Sequence, residues 1–189
     1  MKHELNIKKI DIMLLISMLL LITVGTIMLF STSSIIGLTN YNNSLFFIKK
    51  HIIFLFLGFI GLSIGFTVPH TIYKKFSTLI FLTSCLILGL TLIPQISITA
   101  GGATRWLNLI IFQLQPIEIT KFGIIVVISA IIHNKHSSMQ SWKKGILPIL
   151  ILISIPIGIL AKQPDLGNIM LILIVIVILL FLAKTKLIH

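Results

Sequence analysis

Four ionisable residues, Arg105, Glu118, Lys121 and Asp165, stand between long apolar runs. A charged side chain at the centre of a membrane helix costs about 2.5 to 3.5 kcal/mol on insertion scales, so such groups are expected to face a partner or a cavity. Glu118 and Lys121 are three residues apart, which places them on one face of a helix starting at or just after Pro116, close enough to pair. Proline suits the first helical turn, where its missing N–H has no intrahelical partner, and Glu118 in that turn complements the positive helix end. Asp165 follows Pro164 at the start of another apolar run, where a carboxylate caps free N–H groups. Arg105 adjoins Trp106, an amphipathic ring at home among headgroups, and Gly101 and Gly102 before it allow a tight or close-packed backbone. Each feature alone has a plain structural reading: an interface anchor for Arg105 and Trp106, a helix cap for Asp165. Together the four charges suggest a site for an anionic amphipathic ligand, and a lipid diphosphate fits that description.

The elements that must hold these residues follow from composition. The chain of 189 residues is 57% hydrophobic and carries four acidic side chains, which excludes an ordinary soluble domain and points to an all-α, polytopic membrane protein. The formal charge of +11 comes from short basic clusters between apolar segments, with no continuous basic face, so nucleic acid is not an expected partner. Cys85 is the single cysteine and lies inside an apolar run, so no intrachain disulfide exists and a buried, inert thiol is expected. His133 and His136 have the spacing of metal ligands, but no nearby Cys or carboxylate completes a set.

Apolar runs over residues 12–30, 52–68, 76–93, 117–132, 146–160 and 166–183 predict six transmembrane helices in one membrane domain over residues 1–189; the first approaches the ~20 residues that cross ~30 Å of hydrocarbon, and the fifth is short. The first run is too long for a signal peptide, and no Ala-x-Ala site follows it. Residues 31–50, with Gly37, Asn40, Asn42 and Asn43, read as a polar loop. The fifth run carries Pro148, Pro156 and Gly158 and is expected to kink or break near its far end. Six spans put both termini on one side. With the N-terminus cytoplasmic, Lys2, Lys8, Lys9, Lys74, Lys75, Lys135, Lys143, Lys144, Lys184 and Lys186 fall inside, whereas Lys49, Lys50, Arg105, Lys121 and Lys162 fall outside. The positive-inside rule favours that orientation, which sets the four candidate residues on the outer face.

GGATRWLNL, then QPIEITK, then KQPDLG at 162–167, in this order and spacing, resemble the signature of the FtsW/RodA/SpoVE (SEDS) family of membrane glycosyltransferases, and the likeness covers nearly all of the chain. Thr104, Ile117 and Asn168 are single departures, standing where the family often has Arg, Ser and Thr. The resemblance implies that six segments correspond to the N-terminal part of a roughly ten-helix fold. It implies polymerisation of lipid II into glycan strands during cell division or cell-shape maintenance, in the bacterial inner (plasma) membrane. It implies a class B penicillin-binding protein as partner, undecaprenyl-diphosphate-linked glycan as ligand, and contacts with other divisome or elongasome membrane proteins. The loop PQISITAGGATRW and FFIKKH look more like the division branch than the elongation branch.

Site residues implied by the same resemblance are Glu118 and Lys121 as supporting residues lining the cavity, and Arg105, Lys50, Trp106, Gln115 and Asp165 as substrate-binding residues. Asp165 and Gly167 match a motif that shapes the cavity. The family's catalytic Asp lies in an outer loop of the second half, beyond residue 189, so no catalytic residue is assigned within the chain and the chain alone is expected to be inactive. A divalent cation, Mg or Mn, would assist departure of the diphosphate, and no organic cofactor is implied. A lipid II flippase and a non-catalytic membrane scaffold are the alternative readings.

Overall fold

The computed structural model describes residues 11–100, 103–109, 113–135, 138–183 and 185. Gly101, Gly102, His136 and the lysines at 2, 8, 9, 184 and 186 lie outside the described residues. The chain divides into two compact units, Met1–Thr67 and Val68–His189.

The first unit contains α1 (Ile12–Tyr41) and α2 (Phe46–Thr67). Asp11 starts α1 by accepting the N–H groups of Met13 and Leu14 at 3.0 and 3.2 Å. With 30 residues, α1 is about 45 Å long, well over the ~30 Å of hydrocarbon. The polar stretch expected as a loop over 31–50 is therefore mostly helix, and the connection shrinks to residues 42–45. The reason is local: the hydroxyls of Thr32, Ser33 and Thr39 donate to the carbonyls of Met28, Leu29 and Ile35, so the run satisfies its own polarity without leaving the helix.

α1 ends where Asn42 turns left-handed at φ 50°. The N–H groups of Asn42 and Asn43 then close on the carbonyls of Leu38 and Gly37, both at 3.1 Å. A Cβ on Gly37 would lie 2.7 Å from the Asn43 carbonyl oxygen, so this turn admits only glycine there. Apart from Gly37, the two helices bury no residue, and their large side chains present an apolar surface suited to lipid. The polar link between them is a 3.1 Å contact of Thr26 Oγ1 with His51 Nε2. With the Thr26 hydroxyl donating to Ile22 O at 2.7 Å, His51 Nε2 is the donor of that contact.

The second unit contains α3 (His70–Lys75), α4 (Ser77–Leu90), a small sheet, α5 (Pro116–Asn134), α6 (Leu147–Lys162) and α7 (Leu166–Leu182). The sheet has strands β1 (Ser97–Ala100), β2 (Ala103–Asn108) and β3 (Gln113–Leu114), antiparallel in the order β1-β2-β3. The core comes from one face of each of four helices: Phe81 and Leu88 of α4, Ile117, Ile124 and Ile128 of α5, Ile149 and Ile153 of α6, and Ile172 and Ile176 of α7. These positions recur at helical spacing. α4 and α5 approach closely because Gly123 lacks a side chain; a Cβ there would stand 2.6 Å from Ser84 Oγ and 3.3 Å from Phe81 Cα. Thr120 Oγ1 reaches the carbonyls of Ser84 and Pro116, both at 3.1 Å, which pins the same crossing.

Among the described residues, four helices are long and apolar enough to cross a membrane: Ile12–Tyr41, Phe46–Thr67, Pro116–Asn134 and Trp142–Lys162. The third and sixth expected spans are shorter apolar helices, Ser77–Leu90 and Leu166–Leu182. α4 stops at Leu90 rather than near residue 93 because the N–H groups of Thr91, Leu92 and Ile93 each turn back three residues, a tightened end just before Pro94. α6 is not broken at Pro156: the helix runs through it to Lys162, with Pro156 buried in the core face. A π-helical turn, Trp142–Ile146, leads into α6, and Pro148 sits in its first turn, where the missing N–H costs nothing.

Candidate functional site

One end of the second unit gathers the sheet, the C-terminal ends of α4 and α6, and the N-terminal ends of α5 and α7. Gln163, one residue beyond α6, donates from Nε2 to Thr91 Oγ1 just beyond α4, and both side chains are buried. Thr91 Oγ1 also bonds Leu88 O at 2.6 Å. The backbone N–H groups of Gln163 and Asp165 both return to Leu160 O at 3.1 Å, which makes the turn between α6 and α7 compact and presents Asp165 inward.

Asp165 is buried, with a side chain 3% exposed. Its Oδ1 accepts the Asn168 N–H at 3.4 Å as a cap of α7, and its Oδ2 accepts Asn168 Nδ2 at 2.7 Å. The same Oδ2 lies 3.4 Å from Arg105 Nε. Arg105 comes from β2, where it is the extra residue of a β-bulge: Trp106 pairs with Ile98 and Thr104 with Thr99, which leaves Arg105 unpaired in the ladder. Its side chain is 37% exposed overall, yet Nε itself is buried and makes no hydrogen bond. The contact with Asp165 is thus a charge attraction without an aligned N–H···O bond. Among the described residues the guanidinium donates no hydrogen bond, so its donor fork is unspent.

Pro116 starts α5, with Gln115 half-buried at the cap position and its carbonyl accepting the Glu118 N–H at 3.2 Å. Lys121 Nζ donates to Glu118 Oε1 at 2.8 Å. The partners differ in exposure, 19% for the Lys121 side chain and 59% for Glu118, so the cation is the enclosed member. Trp106 is half-buried on β2, opposite Ile98 of β1. Lys50 belongs to the first unit, where its Nζ sits 4.7 Å over the Phe46 ring, which itself stacks on Tyr41 at 3.9 Å.

The structure thus brings Arg105 to Asp165 and Glu118 to Lys121, at the end where α5 and α7 direct their positive N-termini. Thr91, Gln163 and Asn168 are additional members of this end. Gln163 and Asn168 flank Asp165 in QPDLGN, and that adjacency was the available signal. No group of three His, Cys, Asp or Glu side chains that could hold a metal gathers among the described residues. The positive charges that the described residues bring to this end are those of Arg105 and Lys121.

Comparison with known proteins gives a consistent result. The family model described as "Cell cycle protein", FtsW/RodA/SpoVE, matches residues 11–189. A probable peptidoglycan glycosyltransferase FtsW of Trichlorobacter lovleyi is 30% identical over 188 residues, covering 100% of this chain and 49% of the relative. Another protein so named, from Buchnera aphidicola subsp. Baizongia pistaciae, is 36% identical over 186 residues, covering 98% and 48%. Stage V sporulation protein E of Bacillus subtilis is 27% identical over 179 residues, covering 95% and 49%. The chain spans about half the length of the curated relatives it matches. A solved chain from work on structural coordination of polymerization and crosslinking by a peptidoglycan synthase complex aligns with TM-score 0.60 at 22% identity, covering 79% of this chain and 44% of that one, which shows a shared fold.

Proposed function

Because the chain belongs to the FtsW/RodA/SpoVE family, we propose that it forms part of a peptidoglycan glycosyltransferase that polymerises lipid II into glycan strands, acting in cell division. The observation that carries this reading is the unspent guanidinium of Arg105, held against the buried Asp165 at the end where α5 and α7 begin. Transfer of a sugar from a lipid diphosphate builds negative charge on the departing diphosphate, and a preorganised guanidinium fork stabilises that charge better in a partly dehydrated site than in water. Lys121, enclosed and paired with Glu118, adds a second fixed positive charge. The family's carboxylate that takes the proton from the acceptor hydroxyl would come from the region corresponding to the second half of the relatives.

The orientation that suits this chemistry has a cytoplasmic N-terminus in the inner (plasma) membrane and the site on the outer side. It is supported by Lys135, Lys143 and Lys144, which lie at the ends of α5 and α6 away from the sheet, and by Lys74 and Lys75 just before α4. The partner in this reading is a class B penicillin-binding protein, with other divisome proteins around it. Trp106 and Gln115 would flank the bound headgroup. The test is to supply labelled lipid II to the purified full-length protein with its partner, at matched amounts of folded protein. Glycan product is expected from the parental protein, at least tenfold less from Arg105→Ala, and an intermediate amount from Arg105→Lys, whose point charge lacks the fork. Parental rates from Arg105→Ala would remove the site; transport of lipid II across vesicles without polymer would favour a flippase.

A further inference from the structure

Asp165 Oδ2 faces two donors, Asn168 Nδ2 at 2.7 Å and Arg105 Nε at 3.4 Å, and the first alone is a hydrogen bond. Asn168 is the third residue of α7, so its side chain lies over the cap and reaches back to the carboxylate. A buried carboxylate beside a guanidinium ordinarily closes on it in a two-bond fork with N···O distances of about 2.8 Å. That closure would consume the buried Nε and, with it, one of the terminal nitrogens that solvent reaches, a donor a diphosphate needs. Here the carboxylate is instead fixed by Asn168 on one oxygen and by the α7 backbone on the other. The Nε–H of Arg105 is left buried and unbonded.

We propose that Asn168 is a positioning residue that reserves Arg105 for substrate. By holding Asp165 Oδ2, its side-chain amide keeps the carboxylate near enough to balance the guanidinium charge and too far turned to take its donors. The inference rests on the reading of Arg105 as the residue that binds the lipid-linked diphosphate. It predicts that substrate affinity depends on a hydrogen-bond donor at position 168 and not on the shape of the side chain there.

Threonine and valine separate the two, being nearly isosteric, with only threonine able to donate to the carboxylate. KM for labelled lipid II and kcat would be measured for the full-length protein with its partner, for Asn168→Thr, Asn168→Val and, as a second donorless variant, Asn168→Ala. Asn168→Thr should keep KM within about twofold of parental, while Asn168→Val and Asn168→Ala raise it roughly five- to tenfold and move kcat less than KM. In an Arg105→Ala background, Asn168→Val should add nothing further. Equal KM for the Thr and Val variants, or an undiminished Asn168→Val effect without Arg105, overturns the proposal. If Arg105→Ala raises KM while the Thr and Val variants match, only the role of Asn168 falls. Parental KM from Arg105→Ala overturns the proposal, and parental kcat as well removes the reading of Arg105 itself.

Discussion

Arg105 Nε stands 3.4 Å from Asp165 Oδ2 and ties strand β2 to the N-terminus of α7, yet the two partners sit in different surroundings, 37% and 3% exposed. Losing either partner therefore has unequal consequences. Arg105→Ala leaves a buried carboxylate without counter-charge and should destabilise by about 2 to 3 kcal/mol, below the figure for a fully buried pair because Arg105 is partly exposed. Asp165→Asn keeps an acceptor for the cap and strands a guanidinium that solvent can reach, so about 1 kcal/mol is expected. The double substitution Arg105→Ala with Asp165→Asn should recover part of the loss. Thermal unfolding midpoints in detergent would check the order; a costlier Asp165→Asn contradicts it.

What the sequence made legible was the local part of this site. Glu118 and Lys121 are three residues apart on a helix whose start Pro116 announces, so their 2.8 Å pair needed no tertiary information. Asp165 as a cap of α7 is local in the same way. The contact of Arg105 with Asp165 depends instead on the β1-β2-β3 sheet, in a stretch that by sequence alone looks like a loop. A β-branched run, Gly101-Gly102 and a second run carrying Trp106 form a hairpin signal, but the signal is short and sits among longer apolar runs. The Ser/Thr-rich end of α1 shows the opposite error. Its polarity suggested a loop, although hydroxyls that bond carbonyls three or four residues back fit within a helix.

Gly123 sets the separation of α4 and α5. A methyl group there meets Ser84 Oγ at 2.6 Å and Phe81 Cα at 3.3 Å, and only the hydroxyl can give way cheaply. Gly123→Ala should cost about 1 to 2 kcal/mol, and adding Ser84→Ala should return most of it. Gly123→Leu has no such remedy, because the backbone at Phe81 blocks it. Unfolding midpoints for the single and double variants decide the matter; strict additivity would show that Ser84 is not the obstacle.

Thr91 and Gln163 form a buried polar bridge between the ends of α4 and α6. Thr91→Val strands the Gln163 amide in the core and should cost about 1 to 3 kcal/mol. Gln163→Leu leaves the Thr91 hydroxyl still bonded to Leu88 O and should cost less. Replacing both removes the stranded group, so the double variant is expected to be more stable than Thr91→Val alone. The reverse order would mean that the bridge is held by groups other than these two.

Lys121 is the enclosed member of its pair, at 19% against 59% for Glu118, and the two readings of the pair diverge on this point. As a purely structural pair, it should be replaceable by neutral groups of similar shape: Glu118→Gln would leave an uncompensated, largely enclosed ammonium and harm the protein, and adding Lys121→Met would repair it. If Lys121 supplies positive charge to the reaction, Lys121→Met abolishes that charge whatever stands at 118. The double variant then stays as inactive as Lys121→Met even where its stability returns. We expect the second outcome, with polymerisation of labelled lipid II by the full-length protein reduced at least tenfold in both Lys121→Met and the double variant, and less in Glu118→Gln. Stability and polymer yield measured on the same preparations separate the two effects. A double variant that polymerises at the parental rate would assign Glu118 and Lys121 to the scaffold alone.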